Sequence, residues 1–429
     1  QTLLKLYLAR GDAAAAFNIS ERARSRTLLD LLSGVQSRDD SAHADENAQK
    51  RRQLQADLNA VYNALLGQGG KEERAFSPDV LQQRAKMLEA EIQQLRLAAS
   101  MSASPLEALA EPLTYPAIRR ALPADVTLLA YHVVDEAIVA FVSHKASLQV
   151  VNLAASSGHV RTLLQRLDTQ WSRFQMQKQF VQRHLAQLTD TTRLILGELY
   201  AALVAPLQAH LPSEGRLIIV PHDLLHRVPF HALRAKQGYL IEQYTISTAP
   251  SGTVLAYCQQ QGRAAAAGPT LLLAADDPTL PAATRELEAI ADTLPDTAVY
   301  QANPGATTDY HSRAPQSSLI HLACHGLFRA DNPMFSALKL ADGWLTAADI
   351  LPTPLPGALV ALSACESGRS QVAAGDEILG LTWAFLGAGA GALHVVVAGG
   401  GKSAAAAVVV RAMGDWKLGN RFAAAAVGF

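Results

Sequence analysis

Two apolar stretches end on residues able to carry out nucleophilic chemistry. Ser318-Leu-Ile-His-Leu-Ala-Cys324-His325-Gly326 finishes on an imidazole, and Leu359-Val-Ala-Leu-Ser-Ala364-Cys365-Glu-Ser-Gly368 brings a thiol to the end of its run. A glycine follows shortly after each, permitting close backbone approach. A thiol attacks as thiolate, and a neighbouring imidazole stabilises that anion and later protonates the leaving amine. His325 and Cys365 lie 40 residues apart, room for one crossover that brings both strand ends to the same edge of a parallel sheet. A free cysteine is also among the residues most often buried, so an inert core thiol stands as the alternative at this point. Cys324 is one residue from His325 and so faces the other side of a strand, a core position. Cys258, in the helical Val254–Gln261 stretch, reads as a packed thiol.

The elements that must position these residues follow from periodicity. Apolar residues at helical spacing on both sides of Gly11-Asp12 predict a helical hairpin over Leu3–Leu32, with the form of the last unit of a repeat array; the chain begins on Gln1, and it is expected to be an excerpt of a longer protein. After a polar linker, Gln49–Leu65 and Pro78–Leu97 predict an antiparallel helical arm with a narrow apolar stripe, acting as a spacer. From Asp125 the period shortens to strands: a meander over Val126–Val133, Ala137–Val142 and Leu148–Leu153, then two helices over about Gly158–Leu185 and Thr191–His210. Short strands at Leu217–Val220, Tyr244–Ser247, Leu271–Ala274, Ser318–Leu322, Leu359–Leu362 and Leu393–Val397, with helices at Thr284–Leu294 and Glu377–Leu386, predict an α/β unit with a largely parallel sheet. Active groups in such sheets sit at the carboxyl ends of strands.

Composition bounds the function. Thirty-seven Lys and Arg against 38 Asp and Glu give a net charge of −1, so no overall field draws nucleic acid or anionic lipid, and direct nucleic-acid binding is not expected. Hydrophobic residues reach 49%, inflated by four tetra-alanine runs, yet no uninterrupted apolar run is long enough for a span, and no membrane association is expected. Three cysteines form neither an even disulfide set nor a CxxC pair, which points to reduced thiols in the cytoplasm.

His325-Gly326 after an apolar strand, Ser363-Ala-Cys365-Glu-Ser-Gly368, and Gly375-Asp376-Glu377-Ile-Leu-Gly380-Leu-Thr-Trp together resemble the CHAT family of caspase-like cysteine peptidases, relatives of caspases and separase. The likeness extends upstream through Leu217-Ile-Ile-Val-Pro221-His-Asp-Leu-Leu-His226-Arg-Val-Pro229-Phe230, and the Leu3–Leu32 hairpin is similar to the tetratricopeptide repeats that commonly precede that family. The resemblance implies a mainly parallel caspase-like sheet flanked by helices. It divides the chain into a repeat end (1–38), an arm (39–124), a smaller pseudo-protease-like half (125–263) and a catalytic half (264–429). It further implies a His/Cys dyad of His325 and Cys365, with the backbone amides of Gly326 and Cys365 as oxyanion hole. The implied activity is cleavage of a protein substrate without cofactor or metal, regulated by a protein bound to the upstream repeats. The alternative is an inactive caspase-like scaffold. A bacterial effector role specifies the first reading further.

Asp376 and Glu377 open a helix as a cap and first-turn acid, or else line the substrate pocket. The stretch Val395–Ser403 lacks the acid that selects a basic residue in related peptidases, so no such preference is implied. Gly399–Ser403 mimics a phosphate loop, but Val396 stands where the motif requires glycine. His222, His226 and His231 form the densest histidine group; the segment reads as strand-turn-strand without a metalloprotease acid, and no metal is expected there.

Overall fold

The computed structural model describes residues 1–33, 44–65, 76–97, 112–174, 176–264, 268–275, 277, 280–292, 294, 297–301, 306–329, 331–365 and 379–396. The principal helices are α1 (Thr2–Ala9), α2 (Ala13–Ser33), α3 (Ala44–Leu65), α4 (Pro78–Leu97), α5 (Ser157–Phe174), α6 (Lys178–Leu203), α7 (Gly252–Ala264), α8 (Pro281–Ala291) and α9 (Leu379–Gly387).

The first sheet starts with the meander β1 (Val126–Val134), β2 (Ala137–His144) and β3 (Ser147–Ser156). Asp135 (φ 54°) and Lys145 (φ 51°) adopt the left-handed conformation favoured in two-residue hairpin turns. β4 (Gly215–Val220) runs parallel to β1, and β5 (Tyr244–Thr248) parallel to β4. Every residue of β1 is buried because both faces are covered, which is why its sequence is continuously apolar rather than alternating. Leu129, Tyr131 and Val133 pack with Leu163 and Leu167 of α5 and with Ile195 and Leu199 of α6. Leu128, Ala130 and Val134 pack with Phe17 of α2 and with Ile118.

The helix pair 157–174 and 178–203 departs from the expected boundaries. Leu188 lies in the expected gap and falls at helical spacing with the buried stripe Ile195, Leu199, Leu203, so α6 runs through 185–191; its first turns, over 178–187, bury no residue. Pro206 then confines Ala205–His210 to a 3₁₀ turn.

The second sheet contains β6 (Thr270–Ala274), β7 (Thr297–Gln301), β8 (Leu319–Leu327), β9 (Ala337–Lys339), β10 (Trp344–Thr346), β11 (Leu359–Cys365) and β12 (Ala392–Val396). Its parallel core runs β7-β6-β8-β11-β12, and the hairpin β9–β10 joins antiparallel to the end of β8. On one side, therefore, β8 is paired with β6 as far as Ala323 and with β9 from His325 onward. This change of partner lengthens the expected strand 318–322: His325 and Gly326 lie inside β8 rather than after it. The β9–β10 hairpin went unread because its strands are three residues each. α8 covers one face, laying Ala283, Leu287 and Ile290 on Leu272, Leu319 and Ala361. Ile320, Leu322, Cys324, Val360 and Leu362 point into the core on the other face, with Val254 and Cys258 of α7.

The N-terminal hairpin forms as expected, turning at Gly11 (φ 71°), and is anchored by Glu21, whose Oε2 accepts from the Thr253 backbone N–H at 3.0 Å. The arm differs from its expected role as a spacer. Leu54, Leu58, Val61 and Tyr62 of α3 and Leu81, Ala85 and Ile92 of α4 share one core with Leu338 and Leu345 of the second sheet and with Phe335 of the 3₁₀ turn that precedes β9. Tyr62 stacks edge-on against Trp344 at 5.5 Å, and the Trp344 Nε1–H donates to Asn63 at 3.1 Å. The reason is a buried polar node. Glu89, fully enclosed, accepts from the Tyr62 hydroxyl (2.8 Å), from Asn332 Nδ2 (2.9 Å) and from Arg329. The arm thus grips the segment that follows His325. Gly380 in α9 seats on the same segment: a Cβ there would lie 2.0 Å from the Pro333 carbonyl oxygen, so only glycine fits.

Candidate active site

The parallel register of β8 and β11 pairs His325 with Cys365, Ala323 with Ser363 and His321 with Ala361. Both chemistry-bearing residues stand at the carboxyl ends of adjacent central strands, the position where open α/β sheets hold reacting groups. Neighbouring strands run roughly 4.8 Å apart, so the two backbones are as close as a ladder allows. Gly326, the other residue expected in an oxyanion hole, follows His325 in β8 and pairs with Leu338 of β9. Asp376 and Glu377 lie outside the described residues, as do Gly401, Lys402 and Ser403.

His325 is 1% exposed. Its Nε2 is 3.5 Å from Oδ2 of Asp277, three residues beyond the end of β6. The same carboxylate oxygen accepts from Lys339 Nζ at 3.0 Å, and Lys339 is the register partner of His325 on β9. Burial lowers the His325 pKa below the usual imidazole range; the Asp277 carboxylate opposes this and the Lys339 ammonium adds to it. Deeper along the same face, Ser363 Oγ donates to Glu286 Oε2 at 3.1 Å, and Glu286 Oε1 lies 3.1 Å from Nε2 of the fully buried His321. Glu286 belongs to α8, so this contact ties the covering helix to β11 two residues before Cys365.

Sequence reading missed Asp277, Lys339 and Glu286. The signal for Asp277 was present in an acid following the apolar strand 270–274, the strand end where a reacting group is expected. Lys339 carried none, because its strand is too short to read.

The other two thiols take no part in this arrangement. Cys324 is 1% exposed in the core of the opposite face. Cys258 is buried in α7, where loss of solvent pushes its pKa up to about 12. The histidine group adopts 3₁₀ turns over Asp223–Arg227 and Phe230–Ala232, not strand-turn-strand, because Pro221 and Pro229 interrupt pairing. His222 Nδ1 accepts from the Val133 backbone N–H at 3.2 Å, and its ring lies 3.9 Å from that of His132. Burial, then mutual repulsion and Arg24, push His132 down to about 2; burial and Arg24 likewise push His222 to about 3. Both are neutral packing groups at the contact with α2, where Ser20 Oγ meets His132 Nδ1 at 3.0 Å.

The parallel sheet with helices on both faces, and with His and Cys at adjacent strand ends, defines a mixed α/β fold consistent with the caspase-like class. Residues 193–398 match the CHAT domain, a family related to caspase-like cysteine peptidases. That match spans β4 through β12 and contains His325, Gly326 and Cys365. Comparison with curated proteins finds no match. No helix among the described residues is long and apolar enough to cross a membrane.

Proposed function

We propose that the chain is a cysteine endopeptidase in which His325 and Cys365 form the reacting pair. The observation that carries this reading is the β8–β11 register, which sets the two residues side by side at the carboxyl edge of the sheet. His325 takes the thiol proton, and the thiolate attacks the scissile carbonyl. The oxyanion is stabilised by the amides of Gly326 and Cys365, and the imidazolium returns its proton to the leaving amine. Water, deprotonated by His325, then releases the acyl group and restores the thiol. The 264–429 half carries this chemistry and the 125–263 half braces it. The hairpin of α1 and α2, as a tetratricopeptide-like unit, links the unit to a regulatory protein partner.

A proteome-derived peptide library incubated with the protein, in parallel with Cys365→Ala, tests the reaction. New amino termini mapped by mass spectrometry are expected with the wild type and absent with the variant. Identical termini in both samples would assign the cleavage to something other than Cys365. Binding of partners with no cleavage in either would favour a scaffold.

A further inference from the structure

Two oppositely charged side chains converge on one imidazole where β8 changes neighbours. We infer that Asp277 is the third member of the site, a positioning residue that fixes the His325 ring and favours its protonated form, and that Lys339 tempers it by sharing the same carboxylate oxygen. This deepens the His325/Cys365 reading and rests on it.

The geometry has a topological cause. β6 pairs with β8 only through Ala323, and the Ala275 N–H donates to the Ala323 carbonyl at 3.2 Å as the last link. The chain then leaves the sheet, so Asp277 arrives beside the next residue on the same face of β8, His325. β9 fills the place vacated by β6 and supplies Lys339 directly opposite His325. Both partners of the imidazole are therefore placed by the same vacancy in the ladder. Asp277 has a side chain only 5% exposed and Lys339 one that is 19% exposed, so their charges act through little water.

Three strands and connections meet at His325 among the described residues: Asp277 comes from the β6–α8 connection, Lys339 from β9, and Cys365 of β11 is its backbone register partner. On its own strand, His321 lies four residues back and is engaged with Glu286 of α8. Asp277 is the one acid of this set in contact with His325. An imidazole whose Nε2 faces a carboxylate holds a proton there, and the proton exchanged with the thiol then passes through Nδ1. The Nδ1/Nε2 assignment and the opposing charges give the inference two separate readouts.

The test is the NMR titration of His325 in protein labelled at histidine, its resonances assigned by their loss in His325→Asn. An opposite charge at this range shifts a pKa by about one unit. Asp277→Asn, nearly isosteric, is therefore expected to lower the His325 pKa by about one unit, and Lys339→Met to raise it by about one unit. The wild-type ¹⁵N shifts are expected to report the neutral form protonated on Nε2. Two variants that move the pKa in the same direction, or by less than about 0.3 units, would overturn the assignment, as would a neutral form protonated on Nδ1. A third arm separates this inference from the reading beneath it. Converting Cys365 to its methyl disulfide with methyl methanethiosulfonate should lower the His325 pKa further, because a thiolate partner is lost. If that shift is absent while the Asp277 and Lys339 shifts occur, the dyad fails and the carboxylate assignment stands.

Discussion

His325→Asn is expected to lower kcat/KM for a cleaved peptide by about 10²- to 10⁴-fold, the usual contribution of a positioned acid/base group. Asn is smaller than the imidazole but keeps a donor toward Asp277, so at this 1%-exposed site the acid's partner is retained while the base is removed. The lost function is proton transfer. Without it the thiol reacts only through its own ionised fraction, and the leaving amine departs unprotonated, so both halves of the cycle slow. With His325 in the proposed role the loss should fall on kcat, with KM little changed. Initial rates on a peptide identified by terminal mapping measure this, alongside circular dichroism to confirm the fold. A fall of less than tenfold would remove His325 from the chemistry.

The largest effect on stability is expected from Glu89→Ala, at about 3–5 kcal/mol, the range for removing one partner of a buried ion pair. Glu89 is fully enclosed and the Arg329 side chain is 8% exposed, so the truncation strands a buried guanidinium, takes an acceptor from Asn332 Nδ2 and leaves the Tyr62 hydroxyl with the Phe335 carbonyl at 3.3 Å. Asp331, 3.0 Å from Arg329 Nε and bridged to Lys86, supplies partial compensation. Its carboxyl is held well below the ordinary range by Arg329 and then by Lys86, opposed by burial. The loss should therefore sit at the lower end of the range. Glu89→Gln keeps an acceptor for Tyr62 and should cost less. The paired change Glu89→Leu with Arg329→Met, removing both charges, should recover most of the stability. Urea unfolding of the full chain reads these differences. Hydrogen exchange should show lost protection over Leu327–Phe335, since Arg329 lies four residues beyond His325 and the node is what clamps that segment to α4. A change under about 1 kcal/mol for Glu89→Ala would mean that the arm is only loosely attached to the second sheet.

Much of this architecture is legible from residue pattern because its signals are local. The turn at Gly11, the meander strands, the polar helices 44–65 and 78–97 and the apolar strands 217–220, 271–274 and 359–362 each carry their own periodicity. Central parallel strands read as continuous apolar runs because both faces are covered. The pairing of His325 with Cys365 was reachable from the rule that reactive groups gather at carboxyl ends, since two adjacent strands end on them.

What escaped the sequence was non-local. β8 extends through His325 only because β9 replaces β6 beside it, and β9 consists of three residues. Asp277 and Lys339 meet at one imidazole through that exchange, and no spacing between 277, 325 and 339 announces it. The packing of the arm, in place of the expected spacer, is hidden from the sequence for a similar reason. Its stripe of Leu58, Val61 and Tyr62 is narrow, and the enclosed Glu89 looks like one more charge on a polar helix. Only the arrival of Arg329 and Asn332, some 240 residues later, turns that charge into a buried node. Helix α6 starts ahead of its expected residue: Leu188 extends the buried stripe one step toward the N-terminus, and none of the residues 178–187 before it is buried.

Of the three thiols Cys365 is the proposed nucleophile, and the other two allow a direct test. Cys258 is held protonated by burial and Cys324 is packed beneath the sheet, so neither should react in folded protein. Labelling the native chain with a peptide chloromethyl ketone, followed by digestion and mass spectrometry, locates the adduct. The expected result is one adduct, on Cys365, absent from Cys365→Ala and slowed in His325→Asn. An adduct on Cys258 or Cys324, or labelling that persists undiminished in Cys365→Ala, would contradict the assignment of Cys365 as the nucleophile.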